Sequence, residues 1–166
     1  KIEENTLGNI IINSEDLSDS EVGSNDKKSD SSIINKLSPE EEFQIAFDLL
    51  RNQQFENAKI SLEKFISSNT NNNLSGSAHY WLGEIHLLKK QYREAALIFA
   101  EGYQKYPESV KAPEMLYKLA QSLYNIDKIN DACNTLFKFS NEYQNHKLIQ
   151  KNQNKILEFQ CDVSTE

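Results

Sequence analysis

Helix breakers are scarce: three prolines and five glycines sit among many Leu, Ile, Lys, Glu, Gln and Asn in 166 residues, a composition that leans helical. Cysteine is limited to Cys133 and Cys161, too far apart for a C-x-x-C metal or redox motif. Basic charge is also short. Eighteen Lys and Arg face 25 Asp and Glu, a net of −7, so duplex nucleic acid and anionic membrane are excluded as main partners by repulsion. No apolar run approaches the ~20 residues that cross a bilayer, so no membrane insertion is expected. The abundance of Asn, Ile and Lys carries no functional weight. A first residue of Lys1 rather than Met reads as a processed protein or a fragment, from which a signal peptide would already be gone.

Composition changes near Leu37. Residues 1–36 hold eight acids and four lysines, many Ser and Asn, no aromatics, and one apolar patch at Ile10-Ile11-Ile12. Such a stretch buries too little apolar surface to offset its ordering entropy, so residues 1–37 are expected to be a disordered acidic linker. The alternative, that Ile10 to Ile12 ends an upstream coiled coil, has no heptad here to support it. Order is expected to begin at Ser38. Ser38 suits an N-cap, Pro39 the first helical position and Glu41 the returning carboxylate of a capping box, with Glu40 to Glu42 at the positive end of the dipole.

From there the chain repeats every 37 residues. The offset links Ala46, Gly83 and Ala120; Leu49, His86 and Leu123; Phe55, Tyr92 and Ile129; Ala58, Ala95 and Ala132; and Leu62, Phe99 and Leu136. Five columns on one period are the mark of a repeat protein. Each unit reads as two antiparallel helices, broken near Asn52-Gln53, Lys90-Gln91 and Asp127-Lys128. Leu82-Gly83-x-x-His86, Ala95-x-x-x-Phe99 and Pro107 match the tetratricopeptide pattern, with His86 in its aromatic position and the extra length in the loops. The expected fold is all-α: a right-handed stack of three tetratricopeptide repeats over residues 38–145, then a capping helix and tail over 146–166. That cap would set Leu148, Ile149, Ile156 and Leu157 on one side.

Three runs carry a resemblance. Tyr80-Trp81-Leu82-Gly83-Glu84, the stretch from Gly102 to Ser109 with Lys111-Ala112-Pro113, and Asp131 to Leu136 resemble the C-terminal tetratricopeptide domain of the CpoB/YbgF proteins. The resemblance spans about residues 38–143 and departs at Gln144, where the third repeat usually carries Pro. It implies a periplasmic, non-catalytic adaptor of the Tol-Pal system that binds TolA and a bifunctional peptidoglycan synthase. Such adaptors couple septal wall synthesis to outer-membrane constriction during cell division. A homo-trimer through an upstream coiled coil is implied as well. The rival readings are a tetratricopeptide component of outer-membrane β-barrel assembly and a repeat domain appended to an enzyme.

The first helices of such a stack face a groove that takes a partner peptide or helix. Helical position counts aim Phe43, Phe47 and Leu50, then Tyr80, Glu84 and Leu87, then Tyr117, Gln121 and Tyr124 into it. Tyrosine suits a protein partner because it buries area at low entropy cost and keeps a hydroxyl. Packing between repeats is the competing reading for the same aromatics, and for Trp81 the preferred one. Together, Tyr80→Ala and Tyr117→Ala are expected to weaken partner binding at near-normal helical content. The groove lacks the Lys, Asn and Arg that clamp a chaperone's terminal carboxylate. His79, His86 and His146 have no metal-ligand spacing, and G-x-S-x-G, phosphate-loop and H-E-x-x-H motifs are missing, so no catalytic residue, cofactor or metal is expected. In an oxidising periplasm a Cys133–Cys161 bond would staple the cap to the stack, worth roughly 3 kcal/mol. The alternative is a buried Cys133 acting as a small hydrophobe beside a free Cys161.

Overall fold

The computed structural model describes residues 36–161, all helix and connecting turn. All but the last two residues of the expected linker, with Ile10 to Ile12, lie outside the described residues. Seven helices follow one another: α1 (Pro39–Arg51), α2 (Phe55–Ser68), α3 (Ser75–Leu88), α4 (Tyr92–Lys105), α5 (Ala112–Tyr124), α6 (Ile129–Glu142) and α7 (Ile149–Glu158). Each packs against the next in the chain, the pattern of helix pairs stacked into tetratricopeptide repeats.

Local chemistry explains the boundaries. Glu41 N–H donates to Ser38 Oγ at 3.2 Å and Ser38 N–H to Glu41 Oε2 at 2.8 Å, closing the capping box of α1. The first helices end in a left-handed residue at Gln53, Lys90 and Asp127, with φ of 59°, 57° and 61°. None is glycine, a strain of roughly 1 kcal/mol each. What offsets it is a pair of backbone bonds that satisfy two terminal carbonyls: Gln53 to Leu50 O and Gln54 to Leu49 O in α1, repeated at Lys90 and Gln91 and at Asp127 and Lys128. The repeat therefore extends to the hydrogen bonds of the main chain.

The same motif closes α7. Gln160, with φ 53°, donates to Leu157 O, and Cys161 to Ile156 O. α7 thus enters as the first helix of a further unit, shortened to 10 residues. Leu148, Ile149 and Ile156 pack on the α5–α6 cluster as expected. Leu157 does not: it is 76 % exposed, because it sits about 100° around the helix from Ile156.

The core is a chain of clusters between neighbouring helices. Its centre shows how one column constrains another. Ala46 and Ala120 stand in units whose second helix offers Leu62 and Leu136, whereas Gly83 stands opposite Phe99. A Cβ on Gly83 would drive into the Phe99 ring, which is fully buried. Three residues on, Phe65 and Phe139 give way to Gly102, where a Cβ would come within 2.6 Å of both His79 Cβ and Met115 Sδ. The middle unit exchanges Leu–Phe for Phe–Gly and keeps its packing.

Candidate functional site

The layer of first helices carries two pockets. The first, of about 250 Å³, lies between α1 and α3 and is lined by Phe47, Leu50, Arg51, Trp81, Glu84, Ile85 and Leu88, with Phe55 at the start of α2. The second, of about 420 Å³, lies among α3, α5 and α7 and is lined by Leu87, Gln121, Tyr124, Asn125, Lys155, Glu158 and Phe159, with Tyr92 at the start of α4. Each is lined by the last turns of adjacent first helices and the opening residue of a second helix.

Aromatic packing shapes the first pocket. Phe47 meets Trp81 edge-on at 5.4 Å between ring centroids, and Phe43 stacks on Phe47 at 6.4 Å while its edge meets Phe65. Leu88 is 66 % exposed at the rim. In the second pocket Tyr124 and Phe159 stack face to face, 3.7 Å apart and within 6° of parallel. Lys155 donates to both carboxylate oxygens of Glu158, at 2.9 and 2.7 Å. Asn125 Nδ2 donates to Gln121 O at 2.8 Å, which fixes one amide of the wall.

Charged groups cluster along α3 and α5. Lys118 of α5 pairs with Glu84 of α3 at 3.0 Å. Lys111 Nζ lies 4.8 Å above the Tyr80 ring and 5.7 Å from that of Trp81, a shared cation–π contact. Glu114, buried at the start of α5, has Lys147 at 3.4 Å and Lys111 at 3.9 Å. Burial first, then the Glu84 and Glu114 carboxylates, pushes the Tyr80 phenol up to about 12.

Six of the nine residues aimed at the groove line these pockets: Phe47, Leu50 and Glu84 in the first, Leu87, Gln121 and Tyr124 in the second. Phe43 packs half-buried beside the N-terminal cluster. Tyr80 and Tyr117 are corrected. They are 9 % and 7 % exposed, Tyr80 against Phe99 and Tyr117 against Phe139. Both rings belong to core clusters between helices, so truncation would open the core. Trp81, read as core, packs there half-buried and also lines the first pocket.

The position counts missed Phe55, Tyr92, Leu88 and the whole α7 wall. Phe55 and Tyr92 already stood in a repeat column, a signal that they occupy equivalent places. The histidines are structural: His79, fully buried, donates from Nδ1 to Ser75 O at 2.7 Å, and His86 Nδ1 lies 2.8 Å from Gln91 Oε1. Among the described residues no cluster of His, Cys, Asp and Glu suits a metal, and no helix is long and apolar enough to cross a membrane. Cys133 and Cys161 are joined in a disulfide, their Cα atoms 5.5 Å apart. The bond ties α6 to the turn that ends α7, two residues beyond Phe159.

Comparison with known proteins bears on the fold. The model of the family described as anaphase-promoting complex, cyclosome, subunit 3 matches residues 51–139. No curated protein matches the chain. Among solved structures, a MamA RS-1 ArsTM double mutant is similar over 74 % of this chain and 75 % of its own, with TM-score 0.54 and 16 % identity. MamA 41-end from Desulfovibrio magneticus RS-1 is similar over 77 % and 78 %, with TM-score 0.51 and 16 % identity. At that identity the likeness is one of fold, a stack of tetratricopeptide-type helix pairs.

Proposed function

The chain belongs to the family described as anaphase-promoting complex, cyclosome, subunit 3, a family of tetratricopeptide-like repeats, and from that premise we propose that it is a non-catalytic scaffold that binds a protein segment across its two pockets. The observation that carries this reading is the pair of pockets on one layer of helices. Each combines apolar or aromatic anchors with a few polar groups, the mix that suits a protein partner.

More finely, the partner is the periplasmic part of TolA, with a bifunctional peptidoglycan synthase as the second, and the role is coordination of wall synthesis with outer-membrane constriction in division. The three runs that resemble CpoB/YbgF proteins support this assignment. A disulfide between the chain's two cysteines supports an oxidising compartment such as the periplasm.

Calorimetric titration of the chain with the periplasmic part of TolA from the same organism tests the proposal. Saturable binding is expected, weakened at least about tenfold by Leu50→Ala with Tyr124→Ala, two partly exposed pocket residues. Absence of binding to a folded chain would overturn the TolA assignment. Binding untouched by the double variant would overturn the pocket assignment.

A further inference from the structure

One wall of the second pocket, α7, is the last helix of the stack and packs mainly on α6. α7 is only 10 residues long, too short to persist as a helix without tertiary contacts. Its first half is anchored by Asn152, fully buried, whose Nδ2 donates to Leu136 O at 2.9 Å and to Ser140 Oγ at 2.8 Å. Leu148 and Ile149 pack beside that anchor. Its second half supplies Lys155, Glu158 and Phe159 to the pocket. That half is held by Ile156, by Phe159, which is buried in the α5–α6 cluster and stacked on Tyr124, and by the bond from Cys161 to Cys133. The first pocket contains no covalent tie of any kind.

We propose that the Cys133–Cys161 disulfide is a redox control on the second pocket: reduction frees the end of α7 and removes the pocket's outer wall, while the first pocket stays formed. The reductant is a dithiol, a small molecule or a protein with a vicinal cysteine pair. Cys133 is buried and Cys161 is only partly so, which makes the Cys161 sulfur the point of attack. One thiolate of the reductant bonds to Cys161 Sγ, the old S–S bond breaks, and Cys133 leaves as a thiolate that takes up a proton. The second thiolate of the reductant then displaces Cys161 Sγ, which is protonated in turn. Two electrons and two protons have passed to the chain, and the reductant is left as a disulfide.

This inference rests on the binding-face reading only for its consequence, because the change in α7 is measurable with no partner present. Amide hydrogen exchange and the ring resonances of labelled tyrosine are read on the full chain, oxidised and after dithiothreitol. The chain has two cysteines, so the reagent acts on this bond alone. Amides of Ile156 to Cys161 are expected to exchange about tenfold faster or more on reduction. Those near Asn152 should change less, and those of α1 to α4 not at all. The Tyr124 ring signals, displaced by the stacked Phe159, should move toward those of free tyrosine. Cys161→Ser without reductant should reproduce the pattern. Full reduction with α7 protection and Tyr124 signals unchanged would overturn the proposal. So would loss of protection spread across α1 to α4, which would make the bond a global staple.

Discussion

The pocket between α1 and α3 and the pocket among α3, α5 and α7 share a plan, yet they differ in chemistry and in what holds their walls. Corresponding positions fall 37 residues apart: Phe47, Glu84 and Gln121; Leu50, Leu87 and Tyr124; Arg51, Leu88 and Asn125; Phe55 and Tyr92. The backbone repeat makes equivalent places, and the substituted side chain then sets the character of each. Aromatic and aliphatic groups dominate the first, whereas amides, two phenols and an ion pair dominate the second. The first is closed by packing alone. The second depends on a short helix tied down by a disulfide. A repeat fold can therefore offer one surface with two grades of stability, the weaker at the end where fewer neighbours bury the helix.

The change that should break this comparison hardest is removal of the disulfide. Cys133→Ala with Cys161→Ser is expected to lower the local stability of the α7 end by about 3 kcal/mol, read as faster amide exchange at Ile156 to Cys161 with α1 to α4 unchanged. Next comes Gly83→Ala in the shared middle unit, expected to destabilise by about 1–3 kcal/mol because Phe99 is buried and has nowhere to go. Adding Phe99→Leu recreates the Ala–Leu pair of the outer units, and urea unfolding of the double variant should recover most of that cost; a purely additive loss would refute the size-exchange account. Ser38→Ala removes the capping box and should cost about 1 kcal/mol, with faster exchange in α1 and an unaltered second pocket.

The smallest effect is one of pH. The folded chain keeps the Tyr80 proton up to about 12, while the unfolded chain releases it near the ordinary value of 10. The unfolded state is thus the first to lose its proton, and stability should fall as pH rises from about 10 to 12. Burial also raises Tyr103, Tyr117 and Tyr143, so the whole decline is shared. Tyr80→Phe should make the decline shallower in denaturation series over that range; an unchanged slope would mean its phenol is solvated.

Much of the architecture was legible because it rests on local or periodic signals. Ser38-Pro39-Glu40-Glu41 announced its own helix start, and five columns at a fixed period announced the helix pairs. The inter-helix breaks were readable too, at residues that adopt left-handed backbone without being glycine. The site was legible only in part, since position counts say which way a side chain points and not how close the next helix comes. Tyr80 and Phe47 point alike by counting; the first packs in a cluster with Phe99 and Ala112, and the second lines a pocket. Phe55 and Tyr92 were overlooked because they belong to second helices, although their first turns floor the pockets. Phe159 was overlooked because α7 reads as a cap, and only its stack on Tyr124 reveals a wall.

The central claim is that partners bind across the first helices. Backbone amide chemical shifts of the oxidised chain, followed during titration with the periplasmic part of TolA, test it most directly. The account predicts perturbations clustered at Leu50, Leu88, Gln121 and Tyr124, with Ile60 and Leu97, exposed on α2 and α4, unmoved. Perturbations centred on Ile60 and Leu97, with the pocket residues silent, would contradict it.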